Sequence, residues 1–263
     1  MLTKSAVESL NKYFDKILLL TIERNLYRLP DIRKNFNGLN FEVFMGVDGS
    51  KLNIPELKEQ GVIAKNIDDI YMQDSIHYMN MPVKPLLNNQ IAVASSHKKI
   101  YQYVKDNGFN KVLILEDDAI PVEKNLHLIE KTLTQVPDDW ELLFLGHIYN
   151  NDFSFWGRLR YYHFINFLYR IGFRTDAVVR KKKSYPSDFS SLIKKQGGHI
   201  GTHAYALHGA GAEILLKKQT PLTHGASDFL TMDAAAKNQI RAYTCKHMFF
   251  EQNQELPSSV YNN

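Results

Sequence analysis

The chain has 263 residues, of which 44% are hydrophobic, 23% charged and 12% aromatic. A chain of this length and composition buries a substantial core, which excludes an intrinsically disordered protein. Its one cysteine, Cys245, cannot form an internal disulfide, so a disulfide-stapled secreted domain and a cysteine-ligated zinc finger are also excluded.

The charge is unevenly distributed along the chain. Residues 151–200 contain ten Lys or Arg and three Asp, a local balance of +7, whereas the whole chain has a formal net charge of +4. Residues 153–183 interleave nine aromatic side chains with these basic ones. Four interpretations stay open: docking on an anionic membrane, an insertion whose aromatics stack on sugars, nucleic-acid binding, and a packed helical hairpin with a basic loop at 180–183.

The N-terminal region is a poor match to a membrane span or a signal peptide. Its longest purely apolar run, residues 17–20, is far shorter than the ~20 residues that cross a bilayer, and it follows Asp15 and Lys16. We therefore expect a cytoplasmic protein, with peripheral association at the inner face of the membrane if the basic segment docks there.

Short apolar runs alternate with longer helical patterns. We predict strands at 16–22, 40–47, 111–116, 141–146, 203–208 and 240–245. We predict helices at about 25–37, 90–106, 123–135, 209–218 and 227–237. Alternation of this kind predicts an α/β fold with a mainly parallel central sheet flanked by helices.

The predicted strand at 111–116 is apolar at four successive positions, which is typical of a central strand buried on both faces. It ends in three successive acids, Glu116, Asp117 and Asp118. Ligands of open parallel sheets bind beyond the carboxyl ends of the strands, and adjacent carboxylates repel unless a cation neutralises them. We therefore predict a Mn²⁺ or Mg²⁺ site that bridges to phosphates, the alternative being an acidic turn that caps the next segment.

Further motifs occur in order along the chain. They are 20–28 (LTIERNLYR), 46–49 (GVDG), 89–97 (NQIAVASSH), 112–119 (VLILEDDA), 201–216 with Gly201 and Tyr205, and Gln252 with 258–260 (SSV). This set resembles the lipooligosaccharide-type glycosyltransferases of family 25, which include collagen galactosyltransferase domains. Two motifs depart from the family pattern. Thr21 stands where the family usually has Asn, and of the family's G-E-x-G-C-x-x-S-H only the Ser96-His97 end is kept, with Asn89-Gln90 in place of Gly-Glu.

The resemblance implies a GT-A-like nucleotide-binding fold, a nucleotide-sugar donor that is usually UDP-linked, and inversion at the anomeric carbon. We accordingly expect one glycosyltransferase domain over residues 1–263, with a basic aromatic insertion at about 151–200.

An inverting transfer is one in-line displacement, in which an acceptor hydroxyl attacks the anomeric carbon and a nucleoside diphosphate leaves. It needs a base beside the acceptor and charge stabilisation at the diphosphate. We assign Asp228 as the base because it begins a predicted helix after a loop marked by Pro and Gly, where the family has an acid; Asp233 is the second candidate. Asp228 equally fits a first-turn acid that stabilises the helix dipole.

Glu116 and Asp118, one residue apart, form a pair similar to the D-x-D motif. We expect Asp118 to ligate the metal directly and Glu116 to reach the metal or hold the donor, whereas Asp117 points the other way and supports them. His247 is a further candidate ligand. His97 is another, with a packed helix histidine as its equal alternative.

The candidates for donor binding follow the first two strands or belong to the motifs described above. They are Arg24, Arg28, Asp48, Gly49, Ser96, His97, Glu116 and Asp117. Arginine suits a diphosphate, and an Asp-Gly pair suits a ribose that approaches the backbone closely. Exposed helix arginines and an ordinary Asp-Gly turn fit the same residues.

These observations favour an inverting, metal-dependent glycosyltransferase that moves a hexose such as galactose or glucose from a UDP-sugar to a surface glycan such as lipooligosaccharide. The expected partners are the UDP-sugar donor, a glycolipid acceptor and, through 153–183, an anionic membrane surface; we expect no nucleic acid. Two alternatives stay open: a metal-dependent phosphoesterase, which would also use strand-end carboxylates, and a non-enzymatic membrane- or glycan-binding module.

Overall fold

The computed structural model describes residues 1–75, 86–147, 149–150, 163–164, 167, 171–172, 186–196 and 199–256. The predicted basic loop at 180–183, most of the aromatic segment at 153–183 and the motif at 258–260 lie outside these residues.

Short strands and helices alternate along the described chain. The strands are β1 (Lys16–Thr21), β2 (Phe41–Met45), β3 (Lys111–Glu116), β4 (Ala119–Pro121), β5 (Leu142–Phe144), β6 (Tyr149–Asn150), β7 (Ser187–Asp188), β8 (Ile193–Lys195), β9 (His199–Ile200), β10 (Ala204–His208), β11 (Ala242–Cys245) and β12 (Phe250–Gln252). The helices are α1 (Lys4–Tyr13), α2 (Leu29–Asn35), α3 (Ile54–Glu59), α4 (Ile67–Asp74), α5 (Asn88–Asn107), α6 (Ile129–Leu133), α7 (Gly209–Lys218) and α8 (Ser227–Ala236). Short 3₁₀ helices cover Glu23–Arg28, Gly49–Lys51 and Glu123–Leu128.

The central sheet is mixed, with the strand order β2-β1-β3-β10-β5-β11-β8-β7. Strands β2, β1 and β3 are parallel, and β11 is parallel to β5, whereas β10 lies antiparallel between β3 and β5. The predicted α/β fold with flanking helices is therefore confirmed, but the sheet is not mainly parallel. Because β10 runs in the opposite direction, its N-terminal end lies at the edge where β1 and β3 end.

Alternating side chains of the sheet form two separate cores. Leu19, Leu113 and Leu115 pack in a cluster with α1, α2 and α6 on one face. On the other face, Leu18 and Ile114 pack in a cluster with α5, α7 and α8. Strand β3 is buried on both faces, as its uninterrupted apolar run predicts.

Local signals account for the ends of α5, the longest helix described. The Gln90 side chain accepts a hydrogen bond from the Leu87 N–H at 2.9 Å, which satisfies a donor that the first turn leaves free. The helix ends at Gly108, whose φ of +64° is favoured by glycine.

The predicted strands all occur, shifted by at most a few residues at their ends. The predicted helices at 25–37 and 123–135 each begin as a 3₁₀ helix before the α-helical turns of α2 and α6. Among the described residues, none of the helices is both long enough and apolar enough to span a bilayer.

Candidate active site

A cavity of about 500 Å³ opens at the edge of the sheet where β1 and β3 end. Its lining comes from those strand ends, α5, the first turn of α8, the residues before β10 and the C-terminal segment after β12. Of the predicted site residues, the cavity is lined by Arg24, Gly49, Ser96, Glu116, Asp117, Asp118 and Asp228.

Asp117 is the centre of a buried hydrogen-bond network. Its Oδ1 accepts from Arg28 Nη1 at 2.6 Å, and its Oδ2 accepts from Thr21 Oγ1 at 2.5 Å and from Asn25 Nδ2 at 3.0 Å. The Arg28 and Asp117 side chains are only 6% and 9% exposed. These contacts tie the end of β3 to the chain after β1, so Arg28, predicted to bind the donor, is committed to Asp117 and does not line the cavity.

Glu116 is held by two buried groups. Its Oε1 lies 3.2 Å from His97 Nε2 and accepts from Thr202 Oγ1 at 2.9 Å. Burial favours the neutral carboxyl, but the hydrogen bond and attraction from His97 outweigh it, and the pKa of Glu116 is lowered. Since His97 Nδ1 also lies 2.9 Å from the Tyr205 hydroxyl, His97 joins α5 to the sheet beneath the cavity and does not line it.

Asp118 has one satisfied and one unsatisfied carboxylate oxygen. Its Oδ2 accepts from Gln252 Nε2 at 2.7 Å, whereas its buried Oδ1 has no hydrogen-bond partner among the described residues. Burial and then the charge of Glu116 raise the pKa of Asp118 to about 7. Without a cation, this carboxylate is destabilised in its ionised form.

The raised pKa gives a stability prediction. In the unfolded chain Asp118 has the ordinary aspartate pKa of 3.8, so it ionises more readily there than in the folded protein, where its pKa is about 7. The free energy of unfolding therefore decreases as the pH rises from about 4 to 7. Asp118→Asn keeps an oxygen for Gln252 and removes this effect. We expect its free energy of unfolding in urea, without divalent cation, to exceed that of the wild type by about 2 kcal/mol at pH 8 and by less at pH 5.

Asp139→Asn, at an exposed ion pair with Arg241, is the matched control and should change stability by less than about 0.5 kcal/mol. An Asp118→Asn variant less stable than the wild type at pH 8 would contradict the assignment of Asp118 as a strained carboxylate.

Asp228 lies in the first turn of α8 and lines the cavity. Its Oδ1 accepts from the N–H of Gly201 at 2.9 Å. Burial raises the pKa of Asp228 to about 6, with a contribution from the charge of Glu116, although the Gly201 hydrogen bond opposes the change. A carboxylate of this kind is ionised at neutral pH yet basic enough to accept a proton.

The loop after β2 packs against the start of α5. A Cβ at Gly49 would lie 2.3 Å from Asn89 Oδ1, so glycine is required there by the protein's own packing. Ser96 joins the same elements, because its Oγ accepts from the Val47 N–H at 2.8 Å and donates to the Ala92 carbonyl at 2.7 Å. Gly49 and Ser96 therefore hold the loop after β2 against α5, and these two elements form part of the cavity wall.

Asp48 has a local role in this loop. Its Oδ1 accepts from both the N–H and the hydroxyl of Ser50, and it lies 3.7 Å from Arg24 Nη1. Burial opposes ionisation, but the Ser50 hydrogen bonds and the charge of Arg24 outweigh it, and the pKa of Asp48 is lowered. Asp48 caps the turn and does not line the 500 Å³ cavity, whereas Arg24 does.

Asp233 and His247 lie outside the cavity. Asp233 contacts Lys237 Nζ at 2.7 Å and Lys218 Nζ at 3.2 Å, and these partners lower its pKa against the effect of burial. Asp233 is five positions after Asp228, a rotation of roughly 140° about a helix, so the two carboxylates face different sides of α8. His247 is exposed, and we do not carry it into the proposed metal site.

Sequence reasoning assigned no role to several polar residues that line the cavity, among them Thr202, His203 and Ser227. Thr202 donates to Glu116 and its hydroxyl lies 3.0 Å from that of Ser227. His203 precedes β10, and its carbonyl accepts from the Glu116 N–H at 2.9 Å. The direction of β10, which a local pattern does not reveal, is what brings Thr202 and His203 to the acidic edge.

The donor set fits a hard divalent cation bound together with phosphates. Among the described residues, no group of three or more His, Cys, Asp and Glu is arranged to hold a metal ion. Asp118 nevertheless offers a buried carboxylate oxygen without a partner, beside the ionised Glu116. Mg²⁺ in particular is often held by one or two carboxylates, with substrate phosphates and water completing its shell.

The mixed α/β sheet has an acidic cavity at the carboxyl end of its central strand, which is where ligands bind in open α/β sheets. The family model of glycosyltransferase family 25 (LPS biosynthesis protein) matches residues 14–235. The chain therefore belongs to glycosyltransferase family 25. Membership supports a glycosyltransferase of LPS biosynthesis and, in general terms, a sugar donor and a glycan acceptor.

A search of curated proteins found no match. Among solved structures, the chain is similar to one titled "Crystal Structure of A197 from STIV", with 10% sequence identity over 87% of this chain and 81% of that chain. The TM-score of 0.34 is too low for any argument to rest on this likeness.

Proposed function

We propose that the 500 Å³ cavity binds a UDP-hexose and transfers the hexose, with inversion, to a hydroxyl of a surface glycan such as lipooligosaccharide. The observation that carries this proposal is geometric: Glu116, Asp118 and Asp228 line one cavity at the end of the central strand, and the buried Oδ1 atom of Asp118 has no hydrogen-bond partner among the described residues. The acidity of these carboxyls supports it. Glu116 has a lowered pKa, whereas those of Asp118 and Asp228 are raised to about 7 and 6. Carboxyls whose environments separate their pKa values suit different roles in one reaction.

Asp228 is the proposed general base. Its carboxylate accepts the proton of the acceptor hydroxyl as that oxygen attacks the anomeric carbon, while the bond from that carbon to the diphosphate breaks. The Gly201 N–H holds the Oδ1 atom in place, which fixes the orientation of the carboxylate towards the cavity. A base of this kind contributes typically 10²–10⁴-fold to a rate.

Asp118, supported by Glu116, is the proposed holder of Mn²⁺ or Mg²⁺. When bound, the cation would supply positive charge to the diphosphate leaving group. Gln252 fixes the Asp118 carboxylate through Oδ2, so the Oδ1 atom is oriented before any ligand arrives. This arrangement, together with acids at the end of a central strand, is why we also propose a GT-A-like organisation within one domain.

Arg24 and Asn89 are the proposed contacts to the nucleotide. Both line the main cavity and a second one of about 420 Å³, which also includes Gly49. Arg24 brings a guanidinium that suits phosphate oxygens, and Asn89, a residue only 6% exposed, brings an amide at the N-terminal turn of α5. The Asn89-Gln90 departure from the family pattern thus falls at the cavity wall, where it bears on donor choice.

The reaction products distinguish this function from its enzymatic alternative. We would incubate the full chain with a panel of UDP-sugars, Mn²⁺ and a lipooligosaccharide acceptor, and follow UDP release and acceptor mass. A glycosyltransferase yields UDP and an acceptor heavier by one hexose. Nucleoside monophosphate or inorganic phosphate without a glycosylated acceptor would instead support a phosphoesterase and contradict the proposal.

Peripheral membrane association is proposed as the way in which the enzyme reaches a glycolipid. Phe164, Phe167 and Ile171 are described and exposed, and the Ile171 N–H donates to the Phe167 carbonyl as in a helical turn. They occur within the stretch 151–200, which carries ten basic residues. Exposed aromatic and aliphatic side chains among basic ones are typical of a segment that binds anionic lipid.

We expect the chain to sediment with phosphatidylglycerol-containing liposomes at low salt, and much less with neutral ones or at high salt. Phe164→Ser/Phe167→Ser should reduce the bound fraction several-fold, whereas Phe189→Ser, at an exposed position outside residues 153–183, should leave it unchanged. Absence of binding to anionic liposomes at low salt would contradict the proposed peripheral membrane association.

A further inference from the structure

We propose that His203 is a ligand of the divalent cation, through its Nδ1 atom and together with Oδ1 of Asp118. This inference rests on the proposed function, since it concerns the same cation. His203 takes the role of histidine ligand for which the sequence suggested His97 or His247.

The first step is the position of His203. Its side chain is 2% exposed and lines the 500 Å³ cavity together with Glu116 and Asp118. Its backbone carbonyl accepts from the Glu116 N–H at 2.9 Å, so the residue is anchored beside the first of the three acids. His203 lies beside Glu116 because β10 begins directly after it and runs antiparallel to β3.

The second step is the tautomer. His203 Nε2 lies 3.3 Å from the carbonyl oxygen of Phe250, which can only accept, so Nε2 carries the hydrogen. The Nδ1 atom is then a bare lone pair, and metal-bound histidines characteristically donate their other N–H to a carbonyl or carboxylate in this way.

The third step is that two acceptors are left unsatisfied in residues of one cavity. In the described part of the chain, neither His203 Nδ1 nor Asp118 Oδ1 has a hydrogen-bond partner, and both atoms are buried. Buried polar atoms are nearly always paired, so two acceptors without donors call for a cation or a bound donor group. A carboxylate oxygen is a preferred ligand of Mn²⁺, and a neutral imidazole nitrogen, the commonest metal ligand among side chains, also binds this ion.

Other histidines fit this role less well. Both ring nitrogens of His97 are occupied, by Glu116 and Tyr205, and His247 is exposed outside the cavity.

Gly146 leaves space for the contact between His203 and the Phe250 carbonyl. A Cβ at Gly146 would lie 2.5 Å from His203 Nε2 and 2.4 Å from the Phe250 oxygen, so glycine leaves room for their contact.

The test measures the bound metal directly in the full chain, with Mn²⁺ and UDP present. Pulsed electron paramagnetic resonance detects modulation from a coordinated ¹⁴N nucleus. We expect this signal in the wild type and its loss in His203→Gln, whose amide reaches the place of Nε2 but offers nothing at the place of Nδ1. The Mn²⁺ affinity of His203→Gln should fall about 10-fold or more.

His203→Asn, whose amide reaches the place of Nδ1, should recover part of the affinity, and His127→Gln, at an exposed position, should bind like the wild type. Wild-type protein that binds Mn²⁺ without a ¹⁴N signal overturns this inference alone, and so does loss of the signal in His247→Gln rather than in His203→Gln. Wild-type protein that binds no Mn²⁺ with UDP overturns both this inference and the metal dependence of the proposed function. A wild-type spectrum without the ¹⁴N signal overturns the inference even if a variant fails to fold, and the unchanged signal expected in His247→Gln excludes the other candidate histidine.

Discussion

Asp228→Asn is expected to slow hexose transfer by about 10²–10⁴-fold while leaving the binding of UDP and cation nearly unchanged. The asparagine oxygen still accepts from the Gly201 N–H, so the local structure is kept, but the amide cannot accept the acceptor's proton. The measurement is kcat and KM for transfer, beside the dissociation constant of UDP. Loss of UDP binding equal to the loss of activity would contradict the assignment of Asp228 as the base.

The pH profile tests the same assignment independently. With the pKa of Asp228 raised to about 6, the base is protonated below that pH, so kcat/KM should fall as the pH decreases through 6. The profile is measured at saturating cation, because a bound cation keeps Asp118 ionised. Asp233→Asn separates the two candidate bases: the variant should keep the wild-type acidic limb, since Asp233 pairs with lysines outside the cavity.

Asp117→Ala is expected to lower the free energy of unfolding by about 3–5 kcal/mol. The substitution leaves the buried Arg28 guanidinium without its carboxylate and removes the acceptor of Thr21 and Asn25. Urea denaturation measures the change. Glu23→Ala, in the exposed pair with Lys51, is the matched control and should leave the free energy of unfolding nearly unchanged.

A second substitution identifies the cause of this loss. If the uncompensated charge of Arg28 dominates, Asp117→Ala/Arg28→Met should be more stable than Asp117→Ala alone, because the double variant no longer buries a lone guanidinium. An Asp117→Ala protein within about 1 kcal/mol of the wild type would show that the network is not a stabilising element.

The sequence was most informative where local pattern and topology agree. Strand β3 is apolar at successive positions and ends in acids, so both its burial and the acidic site at its end were predictable. The separation of Asp117 from its neighbours was also predictable, because successive side chains of an extended segment alternate. The turn formed at Asp48 was among the open alternatives. The role of Arg28 as a buried partner of Asp117 was not, because the alternative to donor binding was an exposed helix arginine.

What was not predictable depends on long-range contacts. A mainly parallel sheet places only strand ends at the acidic edge, and this assumption hid Thr202 and His203, which precede an antiparallel strand. Gln252 reaches Asp118 only because the three-residue strand β12 pairs with β4. Such a strand is too short to carry a periodic signal, and its partner lies more than 100 residues earlier in the chain.

The proposed glycosyl transfer requires that a nucleoside diphosphate and a divalent cation bind together at Asp118. We would measure the thermal unfolding midpoint of the wild type and Asp118→Ala with UDP, GDP, CMP and their common sugar conjugates, each with Mn²⁺, Mg²⁺ or EDTA. A ligand that binds only the folded protein raises the midpoint by mass action. We predict a rise with UDP and UDP-hexoses that requires Mn²⁺ or Mg²⁺ and is lost in Asp118→Ala; no rise with any nucleotide, or an equal rise in Asp118→Ala and in EDTA, would contradict the account.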